Sequence, residues 1–259
     1  VRTGTPPAPA RHGGAGGPAL LLIAHGSRDP RHAATVDALV HHVRALRPGL
    51  TVATAYLDHC APRIPQVAGR FGAAVAVPLL LNRAFHAKSD IPAALRAAGA
   101  DLPLADVLGP SPLLLDALDR RLAETGLDTA SAAVRARTGV VLAAAGSSDP
   151  AADAATRAVA EAWRRSRGWA GVEVAYASAA GPRVPEAVAA LRAAGAGTVA
   201  VAPYLLAPGL LPDRIAAAAD GADLLAEVLG AAPEVAELLL QRYDTAVRLA
   251  ATAPAALSA

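Results

Sequence analysis

Ile23-Ala24-His25-Gly26-Ser27-Arg28-Asp29-Pro30 returns 120 residues later as Ala143-Ala144-Ala145-Gly146-Ser147-Ser148-Asp149-Pro150. Each copy closes a short apolar run, passes through a small polar turn and ends on Asp-Pro. The run at 20–24 does not alternate, as expected of a strand covered on both faces. Asp29 offers a helix N-cap, and Pro30 suits the first helical position, where a backbone N–H has no partner to lose. Ala33, Val36, Leu39, Val40, Val43 and Leu46 then recur at helical spacing, and Pro48-Gly49 ends the helix.

Three further pairs keep the same order. Pro62-Arg63-Ile64-Pro65 returns as Pro182-Arg183-Val184-Pro185, Val77-Pro78-Leu79-Leu80-Leu81 as Ala202-Pro203-Tyr204-Leu205-Leu206, and Asp106-Val107-Leu108-Gly109 as Glu227-Val228-Leu229-Gly230. Ordered matches at a nearly constant offset indicate a duplication. Within the first copy the pattern predicts strands at 51–57, 74–80 and 103–108, and helices at 65–71, 90–98 and 112–124. The second copy repeats this from 140 to about 249. Strands alternating with helices predict parallel sheets, here in two tandem, similar three-layer α/β lobes. Residues 1–18 read as a flexible leader, 19–125 as one lobe, 126–138 as a loose connection, 139–250 as the second lobe and 251–259 as a tail.

Composition narrows the partners. The 259 residues carry 24 Lys and Arg against 22 Asp and Glu, and only 3% are aromatic. That is neither the basic stripe nor the stacking surface of a nucleic-acid binder. The uncharged stretch at 193–212 is broken by Pro203, Pro208 and Gly209, so it reads as a strand and loops and not as a membrane span. A single cysteine, Cys60, excludes an internal disulfide and a Cys-rich zinc site, and suits a reducing cytoplasm. No export signal is evident, which argues against a two-lobed periplasmic ligand binder.

Chemistry is expected beyond the carboxyl ends of the strands, where open α/β sheets bind ligands. The loop after the first strand holds His25, Ser27 and Arg28; the loop after the third holds Asn82, Arg83, His86 and Lys88. All seven histidines fall in the first 86 residues, and the second copy has Ala145 and Leu211 where the first has His25 and His86. Active groups kept in one copy point to one catalytic lobe and one degenerate lobe. Neutral imidazoles can take protons or bind a borderline metal, and Asp58, at the end of the second strand, is a candidate carboxylate ligand. His59 and Cys60 follow it; alternation turns one of them inward, and a buried, inert Cys60 is the plainer reading. His32, His41 and His42 read as surface residues of the first helix. Ser27 lacks the G-x-S-x-G surroundings of a nucleophile elbow. Arg28, Arg83 and Lys88 can bind carboxylates, and Ser27 and Asn82 can add hydrogen bonds.

Leu22 through Pro30, with Val77-Pro78-Leu79-Leu80-Leu81 leading to Phe85-His86 and Asp90-Ile91-Pro92, resembles the sirohydrochlorin chelatase family, class II chelatases that insert Fe2+ or Co2+ into sirohydrochlorin. The resemblance covers the chain after the leader, both halves included. It implies that His25 and His86 are the metal-site and catalytic histidines. Asp58 stands where members often carry Glu, one methylene longer. The family's loop often has Gly beside the second histidine, where this chain has Phe85. The resemblance also implies a lyase of sirohaem or cobalamin synthesis, with the metal as substrate and no organic cofactor. No G-x-x-x-x-G-K-[ST] loop for ATP occurs. Two lobes in one chain can supply both walls of a cleft, so a monomer is expected. The rival reading is a non-enzymatic carrier or sensor of divalent metal that uses the same site.

Overall fold

Leu20 to Ala24 are almost wholly buried, and so are Val140 to Ala144. Each run is the central strand of a parallel sheet, where both faces must be apolar. The computed structural model describes residues 17–82, 89–179 and 181–252. The first sheet is built from β1 (Ala19–Ala24), β2 (Val52–Tyr56) and β3 (Ala74–Pro78) in the order β2-β1-β3. The second contains β4 (Thr138–Ala144), β5 (Gly171–Tyr176), β6 (Thr198–Pro203) and the two-residue β7 (Leu224–Leu225), in the order β5-β4-β6-β7. All their pairings are parallel. The duplication extends to register: Ile23 pairs with Ala55 and Ala143 with Ala175, each position displaced by the same 120 residues.

Helix α1 (Pro30–Leu46) starts as the sequence predicts, with Asp29 accepting the Arg31 N–H at 2.9 Å. Its counterpart α6 (Pro150–Arg167) is capped by Asp149, which accepts the Ala151 N–H at 2.9 Å. Between them come α2 (Ile64–Val67), which runs on into a 3-10 turn, then α3 (Ile91–Ala97), α4 (Pro112–Ala123) and α5 (Ala132–Arg135). The last three are α7 (Val184–Ala193), α8 (Leu210–Ala217) and α9 (Pro233–Thr252).

Strand alternation sorts the side chains. Leu21 and Ile23 face α2 and α3, and Val141 and Ala143 face α7 and α8. Leu20, Leu22, Val140 and Leu142 turn to the opposite faces, which join in one continuous core. That shared core is filled by helices that cross over. Helix α9, at the end of the second half, packs on β3 and α1 of the first; α4, at the end of the first half, packs on β6 of the second. Leu114, Leu118 and Leu122 on α4, and Val235, Leu239 and Tyr243 on α9, are buried there. Each large side chain so buried contributes roughly 1.5–3 kcal/mol. Polar contacts follow the same exchange: Arg242 donates to the Val107 and Leu108 carbonyls at 2.7 Å, and Trp163 of α6 donates to Asp119 of α4 at 2.8 Å.

Several sequence expectations change. The strand expected at 103–108 is a single bridge from Leu104 to Ala76, after which the backbone bonds to the segment beyond β3, the Leu108 N–H to Leu80 at 2.8 Å and the Gly109 N–H to Leu81 at 3.1 Å. The connection at 126–138 contains α5, capped by Ser131. The stretch 193–212 contains β6 but also the start of α8, and α9 runs to Thr252, past the expected start of the tail. Among the described residues no helix is long and apolar enough to cross a membrane.

Candidate active site

Pairing between β1 and β2 does not stop at the strand ends. The Leu57 N–H donates to Ala24 at 3.0 Å and the Asp58 N–H to His25 at 2.8 Å. This draws the two loops so close that a Cβ on Gly26 would lie 1.8 Å from the Asp58 carbonyl oxygen; Gly26 also has φ +92°. Only glycine meets both conditions. Gly146 repeats the arrangement against Ser178. Cys60 closes the junction, its Sγ donating to the Ser27 carbonyl at 3.0 Å. The thiol is free and half-buried, not fully buried as expected.

This framework carries His25 to the wall of a cavity of about 1020 Å3 between the two halves. Its Nδ1 lies 3.1 Å from the Gly26 carbonyl. A carbonyl can only accept, so in this contact Nδ1 is the donor. From the first half Gly26, Ser27, Leu79, Leu80 and Asn82 share the wall; from the second come Ala145, Ser147, Tyr204, Leu205 and Leu211. The volume is at the upper end of small-molecule sites, and the lining is mainly apolar with a few polar groups.

The remaining candidates are distributed unevenly. Ser27 lines the cavity, and its Oγ accepts the Asp29 N–H at 3.1 Å. Asn82 lines it too and donates across the halves to Thr156 at 3.1 Å. Arg28 is exposed and absent from the lining. Asp58 is also outside the lining. Its carboxylate accepts the His59 N–H at 2.8 Å and pairs with Arg63 at 2.9 Å, and those two partners, in that order, hold its pKa below the usual value. Arg83, His86 and Lys88 lie outside the described residues. Among the described residues no group of three or more His, Cys, Asp or Glu has a metal-holding arrangement.

His32 overturns its reading as a surface residue. It lies in the first turn of α1, whose N-terminus faces the cleft, and its ring lines the cavity 6.3 Å from that of Tyr56. Its Nδ1 is buried without a hydrogen-bond partner among the described residues. The helix start fixed by Asp29 and Pro30 was the available signal, because it sets which residue occupies the first turn. Burial, and next the nearby His25, lower the His32 pKa from its ordinary 6.5. The neutral ring therefore stabilises the fold above pH 6.5, and that contribution is lost as pH falls through the lower folded value. His32→Gln is expected to lose less stability than the unmodified chain between pH 7.5 and 5.5, as read by urea unfolding (the pH range spans about one unit either side of the imidazole value). Equal losses would remove His32 from the acid response.

The family model described as CbiX matches residues 19–125 and again 139–246. The chain belongs to the CbiX family of sirohydrochlorin chelatases. Two similar proteins come from Priestia megaterium. A sirohydrochlorin ferrochelatase is 30% identical over 211 residues, covering 76% of each chain. A sirohydrochlorin cobaltochelatase is 27% identical over 208 residues, covering 76% of this chain and 66% of that one. The solved structure of SirB from Bacillus subtilis with Fe3+ superposes with a TM-score of 0.76 at 23% identity, over 90% of this chain and 96% of that one, and so shares the fold. The two CbiX matches coincide with the two halves that repeat their β-sheet register.

Proposed function

We propose that this chain is a sirohydrochlorin chelatase that inserts Fe2+ or Co2+ into the tetrapyrrole, for sirohaem or cobalamin synthesis. One observation carries the reading: an imidazole anchored through Nδ1, His25, stands at the wall of a cavity large enough for a macrocycle and built from both halves. The family supplies the substrate class, since the curated relatives are ferro- and cobaltochelatases.

The chemistry is set by what must balance. Sirohydrochlorin gives up two pyrrole protons as the divalent ion forms its bonds to the ring nitrogens. His25 and His86 act as ligands that bring in the ion and as proton acceptors. A few N and O donors hold it loosely enough to pass on, unlike a closed thiolate cage. The apolar wall, Leu79 and Leu80 against Leu205 and Leu206, covers the faces of the macrocycle and excludes water. Ser27, Arg28, Asn82, Arg83 and Lys88 recognise its peripheral carboxylates. Asp58 pairs with Arg63 at 2.9 Å and its Oδ2 lies 3.5 Å from His59 Nε2, so its carboxylate acts by positioning that imidazole. Residues 19–125 act as the catalytic lobe and 139–250 as the supporting one. Because a single polypeptide supplies both walls, the chain works as a monomer. A free thiol and a ferrous substrate both suit a reducing cytoplasm.

The test is anaerobic incubation of the purified chain with sirohydrochlorin and Fe2+ or Co2+, following the absorption of the macrocycle. The expected result is conversion to the metallated spectrum at a rate proportional to protein. Tight Co2+ binding with no acceleration over the uncatalysed reaction would reject the proposal and leave a metal carrier or sensor.

A further inference from the structure

We infer that His59 and His25 together form a loading site for a borderline divalent cation at the rim of the cavity, with Asp58 acting as the positioning residue for His59. The inference rests on the proposed reading of His25 as a metal ligand and adds a ligand to it.

The two rings have centroids 6.3 Å apart and planes inclined by 43°. Metal–imidazole bonds of about 2.1 Å place the centroids of two rings on one ion roughly 4.5–6.4 Å apart, the wide limit being a nearly linear N–metal–N arrangement. The observed spacing is at that limit, and a small side-chain rotation brings the rings to a bent one. The His59 side chain is 33% exposed, so an ion from solvent reaches it. Imidazole pairs suit Fe2+, Co2+, Ni2+ or Zn2+ and discriminate against the harder Mg2+ and Ca2+. Two protein ligands leave most positions to water, which keeps the site weak and transferable.

Asp58 is poorly placed to be the ligand itself. Its Oδ1 accepts the His59 N–H and pairs with Arg63, while Oδ2 is 3.5 Å from His59 Nε2. A carboxylate beside one ring nitrogen orients the imidazole, the usual outer partner of a metal-bound histidine. Here that leaves Nδ1 of His59 as the coordinating atom.

The duplication isolates the side chain as the variable. His59 has the left-handed φ of +60°, and Ala179, its counterpart 120 residues on, has +58°. Both copies hold the same turn around a non-glycine residue, an uncommon conformation. The turn forms equally well with a methyl group, so the imidazole is dispensable for folding. The copy that carries it is the copy that carries His25.

The experiment titrates the metal-free full chain with Co2+ alone under anaerobic conditions, reading the visible Co2+ spectrum and the binding heat. His59→Ala, with Ala179 as its precedent, is expected to weaken Co2+ binding at least tenfold with unchanged circular dichroism. His59→Asn, a residue tolerant of left-handed φ, is expected to do the same. Asp58→Asn is expected to weaken binding about tenfold, keeping the spectrum of the unmodified site. Binding unchanged in both His59 variants overturns the inference, as does a larger loss in Asp58→Asn than in His59→Ala. Metallation of sirohydrochlorin by the unmodified chain is scored separately. If the chain metallates while the His59 variants bind Co2+ normally, only the loading site falls. If Co2+ binding depends on His59 and no metallation occurs, only the enzymatic reading falls.

Discussion

His25→Ala is expected to slow metal insertion by about 10²–10⁴-fold, the range for removing a proton-transfer group, and further where the same imidazole also carries the ion. The alanine variant is expected to keep the fold. The side chain is half-buried, and its bond to Gly26 spans one peptide. The contact that joins the loops runs through the His25 backbone carbonyl, which an alanine keeps. Ala145 occupies the corresponding place in the second half, whose strand and turn form normally. Steady-state rates with sirohydrochlorin and Co2+, alongside circular dichroism, check this. A variant that folds and inserts metal at the full rate would remove His25 from the chemistry.

Gly26→Ala is expected to cost about 3–5 kcal/mol of stability, among the larger effects of a point substitution. Gly49→Ala provides the comparison. Both glycines have similar φ, +92° and +88°, so both substitutions bear the same backbone strain. That strain alone costs of order 1 kcal/mol. Nothing lies within 4 Å of a Cβ at Gly49, whereas at Gly26 it would sit 1.8 Å from a backbone oxygen. Backbone cannot rotate aside as a side chain can, so the loops must part. Parting them breaks the Asp58–His25 bond and the Cys60–Ser27 clasp. The measurement is the shift of the urea midpoint in each variant. Similar shifts would mean that the contact at Gly26 relaxes freely.

The central strands, the two Asp-Pro helix starts and the duplication were readable because each is written in local chemistry: unbroken apolar runs, capping residues and matched offsets. The edge of the first sheet was not. Residues 103–108 have strand-like composition, yet their pairing with β3 is limited to the two bonds around Ala76, Leu108 bonding to Leu80 beyond the strand, and β7 in the other half is two residues long. Short edges protect against pairing with other chains, and composition does not reveal where pairing stops. The His25 turn was legible from position alone. His32 was not, because helical periodicity identifies the face that meets the core and says nothing of the end that meets a cleft. His59 was ambiguous for a related reason: its orientation depends on a left-handed residue that two-fold strand alternation does not describe. The exchange of α4 and α9 was illegible in principle, since an apolar stripe does not specify which sheet it covers.

That exchange bears on how such a chain arises and survives. With its final helix lodged on the opposite sheet, neither half has a complete interior when alone. Two copies of an ancestral half could trade helices as separate subunits, and joining their genes would preserve the trade while freeing one copy from symmetry. The linker then needs only to tether, and changes in one half are felt by the other through a hydrophobic centre that belongs to both.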